Sequence, residues 1–408
     1  MYLNIENHRV KKRGTDMISN YKHTISIDNF TTWDIVFFLL FVAEYCLYHS
    51  IVDTIAVIAF IAVSLLFIIN KKVYLNGVIP WISVFVLVSW LNIELGFSIN
   101  ASNSYEMLTS MFKDLLFLIP LSIYVKTIGI ERFKNNLIAG SLASSIIQII
   151  LSLITTGSVL VRNAHGLFNA NYLAVCNAIA AIIVLSKKEY RISKRISIII
   201  FFVIFGALAG TRKAFLAMGI GLIIYFCAKY PQRLLRNTLT IVVIGIIAYL
   251  ALTRIPFLYN NLGYRFVAAI DYLNGGTGDA SIYMRSWYIQ TGLTHFKNSP
   301  ILGHGLNCFK LIPGSRGTYS HNNFVELLFS LGIVGTASFY SIHLFTLLYG
   351  IKNYFVMDKE NICLGIAIIG MVLFTDYAMV GYYERCALIF IVLFYFLVKI
   401  PRTNDKEI

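Results

Sequence analysis

The sequence predicts an all-α polytopic membrane protein with about twelve transmembrane helices and one large extracytoplasmic loop between helices nine and ten. Hydrophobic residues make up 58% of the 408 residues and charged residues only 13%, whereas about 25% of a soluble domain is charged. Apolar runs long enough to cross a bilayer, which takes roughly 17–25 residues, recur along the chain. A surface so poor in charge indicates that lipid surrounds most of the protein.

The apolar runs predict the order of the segments. A cytoplasmic tail covers 1–31, spans one to nine lie within 32–252, the extracytoplasmic loop covers 253–321, spans ten to twelve lie within 322–400, and a second cytoplasmic tail covers 401–408. The runs are continuous rather than alternating in polarity, which favours helices over a barrel. The first 31 residues are polar and lack the short apolar core of a cleaved signal peptide, so none is expected.

The distribution of Lys and Arg predicts the orientation. Of the 34 Lys and Arg residues, 23 fall in the two tails and the connections on one side, and 10 fall on the opposite side. Positive residues stay in the cytoplasm, so both termini are predicted to be cytoplasmic. The net charge of +14 is spread over these connections and does not form a basic face; nucleic acid is therefore not an expected partner. The six cysteines show no CxxC spacing, which argues against a disulfide framework or a zinc site.

The predicted outer loop, 253–321, is far longer than any other connection, and long loops without regular structure are usually functional. It contains turn-rich stretches at 275–279 (GGTGD), 303–305 (GHG) and 313–317 (PGSRG). Between the first two, Ser281–Phe296 is predicted to form an amphipathic helix. This organisation is typical of a membrane enzyme with an extracytoplasmic site.

Three basic groups are predicted to face this side. Arg212 lies in a tight turn between two spans, Arg285 lies in the long loop, and His321 stands where the loop re-enters the membrane. Each has a simpler interpretation, because an arginine at a helix end also snorkels to lipid headgroups and a His beside Asn also caps a helix. Guanidinium groups stay ionised and match phosphate oxygens bidentately, which favours a phosphate site.

Several charged residues lie inside the predicted spans, all in the outer parts of their helices. Each charge near the bilayer centre costs at least about 2.5–3.5 kcal/mol, so such residues normally face a cavity or a partner. Their common depth predicts one polar chamber in which the acids balance the arginines; the alternative is that each acid snorkels outward alone. No Gly-rich GK[ST] loop or paired-carboxylate metal motif is present, so no metal or cofactor is expected. The residues are Glu44, Glu94, Lys113, Asp114, Glu326 and Asp376.

A family resemblance follows from these motifs. PILGHG at 300–305, followed by SHNNFVELLFSLGIVG at 320–335, resembles the signature region of the O-antigen polymerase and O-antigen ligase superfamily. Upstream, Arg285-Ser-Trp287 resembles its Arg-x-Trp element, GTRKAFLA at 210–217 resembles its SR-G/A turn, and GLFNANY at 166–172 resembles its G-x-F-x-x-N element. The matches keep the family's order. Lys213, in place of a usually small residue, and His304, inside the Gly-x-Gly turn, depart from the pattern.

The resemblance implies a glycosyltransferase whose donor is a glycan carried on undecaprenyl diphosphate. By position, it implies that Arg212 and Arg285 bind the diphosphate and that His321 activates the acceptor hydroxyl, within a catalytic loop at 253–321. Two arginines would stabilise the leaving diphosphate without a metal. Direct displacement on one face would invert the anomeric centre, so inversion is a hypothesis. The expected substrate-binding residues are Asn322, Asn171, Gly303, Gly305, Trp287 and Glu326.

The acceptor separates the remaining alternatives. A polysaccharide polymerase for O-antigen or capsule adds the chain to another lipid-linked repeat unit, whereas an O-antigen ligase transfers it to lipid A–core or protein. The richness in Ile, Asn, Lys, Tyr and Phe favours the polymerase. An alternative from another class is a lipid-linked oligosaccharide flippase, with membrane acids relaying protons. The expected location is the bacterial cytoplasmic (inner) membrane, with lipid and a chain-length regulator protein as further partners.

Overall fold

The computed structural model describes residues 30–47, 50–69, 77–161 and 170–401. Over these ranges the protein is helical, without a named strand; an isolated bridge pairs Met357 with Pro401. The helices of ten or more residues are numbered here in chain order. They are α1 (Phe30–Cys46), α2 (Ile51–Ile69), α3 (Val78–Glu94), α4 (Ala101–Ile128), α5 (Ile130–Thr156), α6 (Ala170–Ser186), α7 (Ile192–Leu208), α8 (Arg212–Lys229), α9 (Leu234–Arg254), α10 (Tyr264–Leu273), α11 (Ala280–Phe296), α12 (Asn323–Lys352), α13 (Lys359–Asp376) and α14 (Arg385–Leu397).

The helices confirm the predicted all-α class and the membrane character of the chain. Each of the twelve apolar segments predicted from sequence coincides with one of these helices. In the described part of the chain, four helices are long and apolar enough to cross a membrane: α4, α5, α12 and the continuous segment Pro231–Arg254 that contains α9. Four shorter apolar helices overlap or match α2, α3, α6 and α14. The number of spans therefore stays a prediction.

Helix α9 illustrates why the surrounding solvent must be apolar. None of its residues is buried in the protein, and Leu235 and Ile247 are 74% and 61% exposed. Keeping apolar surface in water forfeits about 25 cal/mol per Å² relative to burial. A helix that is apolar on all sides and contacts α8 on one side is stable when lipid covers the rest.

The core of the protein lies around α6 and α13, in which most side chains are buried. Helix α8 packs against both of them. This packing fixes the position of the first residue of α8, Arg212, relative to the core. In the same way, α11 packs on α12 and brings the residues of the outer loop to the start of α12.

The segment predicted as a long outer loop is largely helical. After α9, a short helix (Pro256–Leu258) and a π-helical turn (Tyr259–Gly263) lead into α10. The predicted helix at Ser281–Phe296 is confirmed as α11. These elements give the site a rigid support.

Candidate active site

Arg212 opens α8 directly after a tight reversal of the chain. Gly210 has φ +61°, a left-handed conformation that glycine adopts without strain. The Arg212 guanidinium forms an ion pair with Asp279 (3.1 Å) and donates to the backbone carbonyl of Arg265. Arg265 in turn donates to the carbonyl of Gly210 (3.2 Å). Helix α10 is thereby tied to the turn that presents Arg212.

Asp279 connects Arg212 to the helix that carries Arg285. One of its carboxylate oxygens caps α11 by accepting from the backbone N–H of Ile282 (2.8 Å), and the other pairs with Arg212. An N-terminal carboxylate also interacts favourably with the helix dipole. The GGTGD stretch therefore contributes a positioning residue that the sequence had indicated only as a turn.

Arg285 lies in the second turn of α11, close to Arg212. Burial lowers the pKa of Arg285, and the positive charge of Arg212 lowers it further. No described carboxylate forms an ion pair with Arg285. Among the described residues, Asp279 is the single carboxylate that pairs with either guanidinium group, and it pairs with Arg212; the excess of positive charge is one that an anion would relieve.

His321 reaches the same place from the start of α12. Its backbone has φ +56°, which is uncommon for a residue other than glycine and is often found at functional sites. Its neighbours hold this conformation: Ser320 N–H donates to Glu326 Oε2 (2.8 Å), and Asn322 caps α12 by accepting from Val325 N–H (3.0 Å). The capping role thus falls to Asn322, and the imidazole has no hydrogen bond to any described residue.

The His321 imidazole is surrounded by two aromatic rings and positive charge. Its centroid lies 4.2 Å from that of Tyr319 and 5.7 Å from that of Tyr288. Burial lowers the pKa of His321 to about 4, and the charges of Arg285 and Lys213 contribute to this shift. The ring is therefore neutral at physiological pH and can accept a proton.

These site residues lie within a segment that matches a known protein family. The segment 196–340, which contains Arg212, Arg285 and His321, matches the family model described as O-antigen ligase. This segment is similar to an O-antigen ligase domain. The resemblance to the O-antigen polymerase and O-antigen ligase superfamily is confirmed, and a search of the curated proteins finds no match to the chain.

Three glycines of the matched segment, at 303, 305 and 332, meet where α12 is interrupted. Gly332 has φ +63° and ψ −163°, which breaks the helix. The freed carbonyls of Phe329 and Ser330 accept from the N–H groups of His304 and Gly305 (both 2.8 Å). Conversely, Ile333 N–H donates to the carbonyl of Pro300 (2.9 Å). The PILGHG turn thus completes the hydrogen bonding of the broken helix, as buried backbone groups require.

The two glycines predicted to bind substrate, Gly303 and Gly305, are instead packed closely against neighbouring segments. A Cβ on Gly303 would lie 2.5 Å from the backbone nitrogen of Leu331, and a Cβ on Gly332 would lie 2.3 Å from the carbonyl oxygen of Ile301. A Cβ on Gly305 would lie 2.3 Å from Ser98 Oγ. These contacts assign the three glycines to the support of the site rather than to the space around His321.

Two other predicted binding residues lie elsewhere. Trp287 faces a groove of 610 Å³ that is also lined by Tyr272, Tyr283 and Gln290, and its indole N–H donates to the carbonyl of Gly314 (2.8 Å). Asn171 is exposed in the first turn of α6. The remaining residues of its motif, at 166–169, lie outside the described residues. The structure brings together Arg212, Arg285 and His321, but it places neither Trp287 nor Asn171 in contact with them.

Three residues of the site were missed as site residues from sequence. In the sequence, Lys213 is only a departure from the family pattern. In the structure, its positive charge helps to lower the pKa of His321. Tyr319 stands two residues before His321, and Tyr288 stands three residues after Arg285, on the same face of α11. That helical spacing was the signal that could have identified Tyr288.

The prediction that the membrane acids balance Arg212 and Arg285 is wrong. The carboxylate paired with Arg212 comes from the loop, and each predicted membrane acid has another partner. Glu44 and Asp114 pair with Arg385, at 3.3 and 3.0 Å. Arg385 is the first residue of α14, which packs between the helices that carry these acids. The other acids accept hydrogen bonds: Glu94 from Tyr105, Glu326 from Ser320 N–H, and Asp376 from Tyr340 and Asn323.

Proposed function

We propose that the protein is a glycosyltransferase that moves a glycan from a polyprenyl diphosphate carrier to a sugar hydroxyl. The proposal is carried by the grouping of Arg212 and Arg285 with His321. The His321 imidazole is neutral and has no hydrogen bond to a described residue. The O-antigen ligase match over the same residues supports a transferase of this class. Undecaprenyl diphosphate is the proposed carrier, and no cofactor or metal is invoked.

The arginines act on the leaving group. As the glycosidic C–O bond breaks, negative charge grows on the diphosphate, and two fixed guanidinium groups stabilise it more in the transition state than in the ground state. Arg212 is held by Asp279, so little reorganisation accompanies the reaction. Arg285 has no described carboxylate partner and offers its planar fork to the phosphate oxygens.

His321 acts on the acceptor. The neutral imidazole accepts the proton of the attacking hydroxyl as that oxygen forms the new bond to the anomeric carbon. A pKa of about 4 would make a weak base, but the bound diphosphate brings negative charge next to the ring. That charge opposes Arg285 and Lys213, so donor binding raises the pKa of His321. Direct displacement on one face inverts the anomeric configuration.

For the acceptor, we propose the polymerase reaction, in which the chain passes to another lipid-linked repeat unit of an O-antigen or capsule. The family description, O-antigen ligase, favours the second candidate, transfer to lipid A–core or protein. Both reactions use the same donor chemistry. The proposed setting is the inner membrane with both termini in the cytoplasm, the site on the outer side, and a chain-length regulator as a partner.

A His321→Ala variant tests the transferase against a flippase. In cells of the producing bacterium, single lipid-linked repeat units are expected to accumulate on the outer leaflet, because export continues and transfer stops. Accumulation on the inner leaflet would instead indicate a flippase. His295→Ala, at the far end of α11, is the matched control and is expected to leave the polymer unchanged.

Purified protein distinguishes the two transferase reactions. With a defined lipid-linked repeat unit as the sole glycan, a polymerase is expected to form a ladder of products. A ligase is expected to form product only after lipid A–core or a protein acceptor is added. A protein that transfers nothing in either assay would contradict the proposal.

A further inference from the structure

A cavity of about 230 Å³ opens beside the proposed active site, between α1, α4 and the start of α14. It is smaller than the roughly 300–1,000 Å³ of pockets that take drug-sized ligands, a size suited to one sugar ring. Its walls combine four carboxyl groups and the guanidinium of Arg385 with an amide and a phenol. The carboxyl groups, the amide and the phenol belong to Glu44, Glu106, Asp114, Glu384, Asn307 and Tyr383.

One wall of the cavity has an unmet hydrogen-bonding need. Glu44 is 3% exposed; its Oε2 lies 3.3 Å from Arg385, whereas its Oε1 has no hydrogen-bond partner among the described residues. Buried carboxyl oxygens are normally satisfied, so Glu44, which lines the cavity, has capacity for one more hydrogen bond. A hydroxyl group of a ligand is a donor of the right kind.

The cavity also has an excess of negative charge. Arg385 is shared among Glu44, Asp53 (2.6 Å) and Asp114 (3.0 Å), so one cation serves three carboxylates. Glu106, which is exposed on α4, and Glu384 add to the same side. This field attracts hydroxyl or ammonium donors and repels a carboxylate on a ligand.

Tyr319 links this cavity to His321. Its ring contacts the imidazole, with 4.2 Å between centroids. Burial raises the pKa of Tyr319; the charge of Glu384 adds to this rise and that of Arg285 opposes it. Tyr319 is therefore within electrostatic reach of both the cavity wall and the arginines. The backbone N–H groups of Gly381 and Tyr382 donate to Asn323 Oδ1 (2.9 and 3.1 Å), so the segment that leads into the cavity wall at Tyr383 and Glu384 packs against the start of α12, two residues from His321.

We propose that this cavity binds the acceptor sugar and selects an uncharged or amino sugar over an acidic one. The proposal rests on the proposed transferase function. Carboxylates at the wall accept from the sugar hydroxyls, Asn307 donates or accepts, and the Tyr383 ring packs on an apolar face of the ring. The diphosphate site at Arg212 and Arg285 and this acidic cavity then serve opposite ends of the reaction.

A kinetic experiment separates the two sites. A radiolabelled lipid-linked chain of several repeats, held at a fixed concentration, serves as donor, and unlabelled single repeat units from the producing bacterium are varied as acceptor. Glu106→Gln and Glu384→Gln are expected to raise the acceptor KM roughly tenfold, as expected for the loss of a charged hydrogen bond, with binding of undecaprenyl diphosphate unchanged. Glu94→Gln, an exposed acid of α3 outside the cavity, is the control.

A binding experiment does not depend on transfer. Saturation-transfer NMR of the full chain in lipid nanodiscs is carried out with the methyl glycosides of glucose, galactose, N-acetylglucosamine and galactosamine, and with glucuronic acid. Binding of at least one of the first four, abolished by Glu106→Gln and Glu384→Gln but not by Glu94→Gln, supports the proposal. Preference for glucuronic acid, or binding that the two variants leave intact, would overturn it.

The two measurements distinguish the possible failures. If wild-type protein transfers nothing but the NMR result holds, the transferase function fails and the sugar site stands. If wild-type protein transfers glycan and both cavity variants keep the wild-type acceptor KM, the transferase stands and the cavity proposal is refuted. Absence of binding for every glycoside also refutes it.

Discussion

At the scale of single residues, the positive charge of the site results from the small number of carboxylates near its arginines. Arg212 has Asp279, and Arg285 has no carboxylate partner among the described residues. Arg385, in contrast, is surrounded by three acids. The same residue type therefore keeps an excess of positive charge in one place and forms a structural ion pair in the other, and the difference lies in the neighbouring carboxylates.

Arg285→Lys is expected to lower kcat/KM about 100-fold, comparable to the loss of one donor in an oxyanion hole. Charge is retained, but the planar fork that matches phosphate oxygens is gone. The measurement is the rate of product formation from a defined lipid-linked repeat unit. Arg254→Lys, an exposed arginine at the end of α9, is the control, and near-normal rates in Arg285→Lys would argue against a diphosphate contact.

The pH dependence tests the role of His321. Its pKa in the free protein is about 4, below the usual 6.5, because of burial and the charges of Arg285 and Lys213. The free protein keeps the neutral imidazole down to about pH 5, so kcat/KM is expected to stay level from pH 8 to 5. In the donor complex, the diphosphate raises the pKa, so the acid limb of kcat is expected at a higher pH than that of kcat/KM.

The same shift affects stability. The unfolded chain binds a proton at His321 below about pH 6.5, whereas the folded protein does not until about pH 4. Folding is therefore expected to weaken as the pH falls through this window. His321→Gln, which cannot take up that proton, is expected to lose less thermal stability between pH 7 and 5 than wild type, and an equal loss would contradict the assigned pKa.

At the scale of elements, the broken helix α12 and the PILGHG turn form one unit. The turn supplies donors to two carbonyls of the helix and accepts from the N–H groups beyond the break. The strained His321 stands just before the first turn of the same helix. A change at the break is therefore expected to affect His321, the proposed base, because both belong to the same end of α12.

Gly332→Ala tests this unit. An alanine there has to adopt a backbone conformation that is essentially confined to glycine, at a cost of about 1–3 kcal/mol, and its Cβ would meet the carbonyl of Ile301. The unfolding midpoint of the purified protein is expected to fall, together with activity. Gly245→Ala, in the middle of α9 with open space around it, is the control and is expected to keep or raise the midpoint.

At the scale of the whole molecule, the described part of the protein is a bundle of helices that exposes many apolar side chains. Helix α9 exposes apolar side chains along its length, whereas the elements between α9 and α12 carry Arg285 and His321. This arrangement suits a substrate with a polyprenyl tail in the lipid and a glycan in water. The diphosphate between them would then lie level with the arginines.

The complete reaction is expected to proceed without a metal ion. Chelation with EDTA is expected to leave the rate of transfer unchanged, since the guanidinium groups of Arg212 and Arg285 take the part that a divalent cation would play. The measurement is the product ladder with and without EDTA. Loss of the ladder, restored by added magnesium, would overturn the assignment.

The apolar runs and local motifs of the sequence determined the helical class, the membrane character, the helix α11 and the choice of Arg212, Arg285 and His321. Such features depend on residues that are close together in the sequence, because a helix is specified by neighbours three and four residues apart. For His321 a polar helix cap was one of two interpretations, and the fold assigns the cap to Asn322 instead.

The tertiary structure alone decided the partners that come from distant parts of the chain. Asp279 reaches Arg212 across 67 positions, and Arg385 reaches Glu44 and Asp53 from the last helix. The sequence placed the acids at a common depth in their helices, but it could not show which helices pack together and therefore which partner each acid meets. Ion pairs and broken-helix contacts depend on which helices pack together, and that packing is set by side-chain shapes along whole helices rather than by any local pattern.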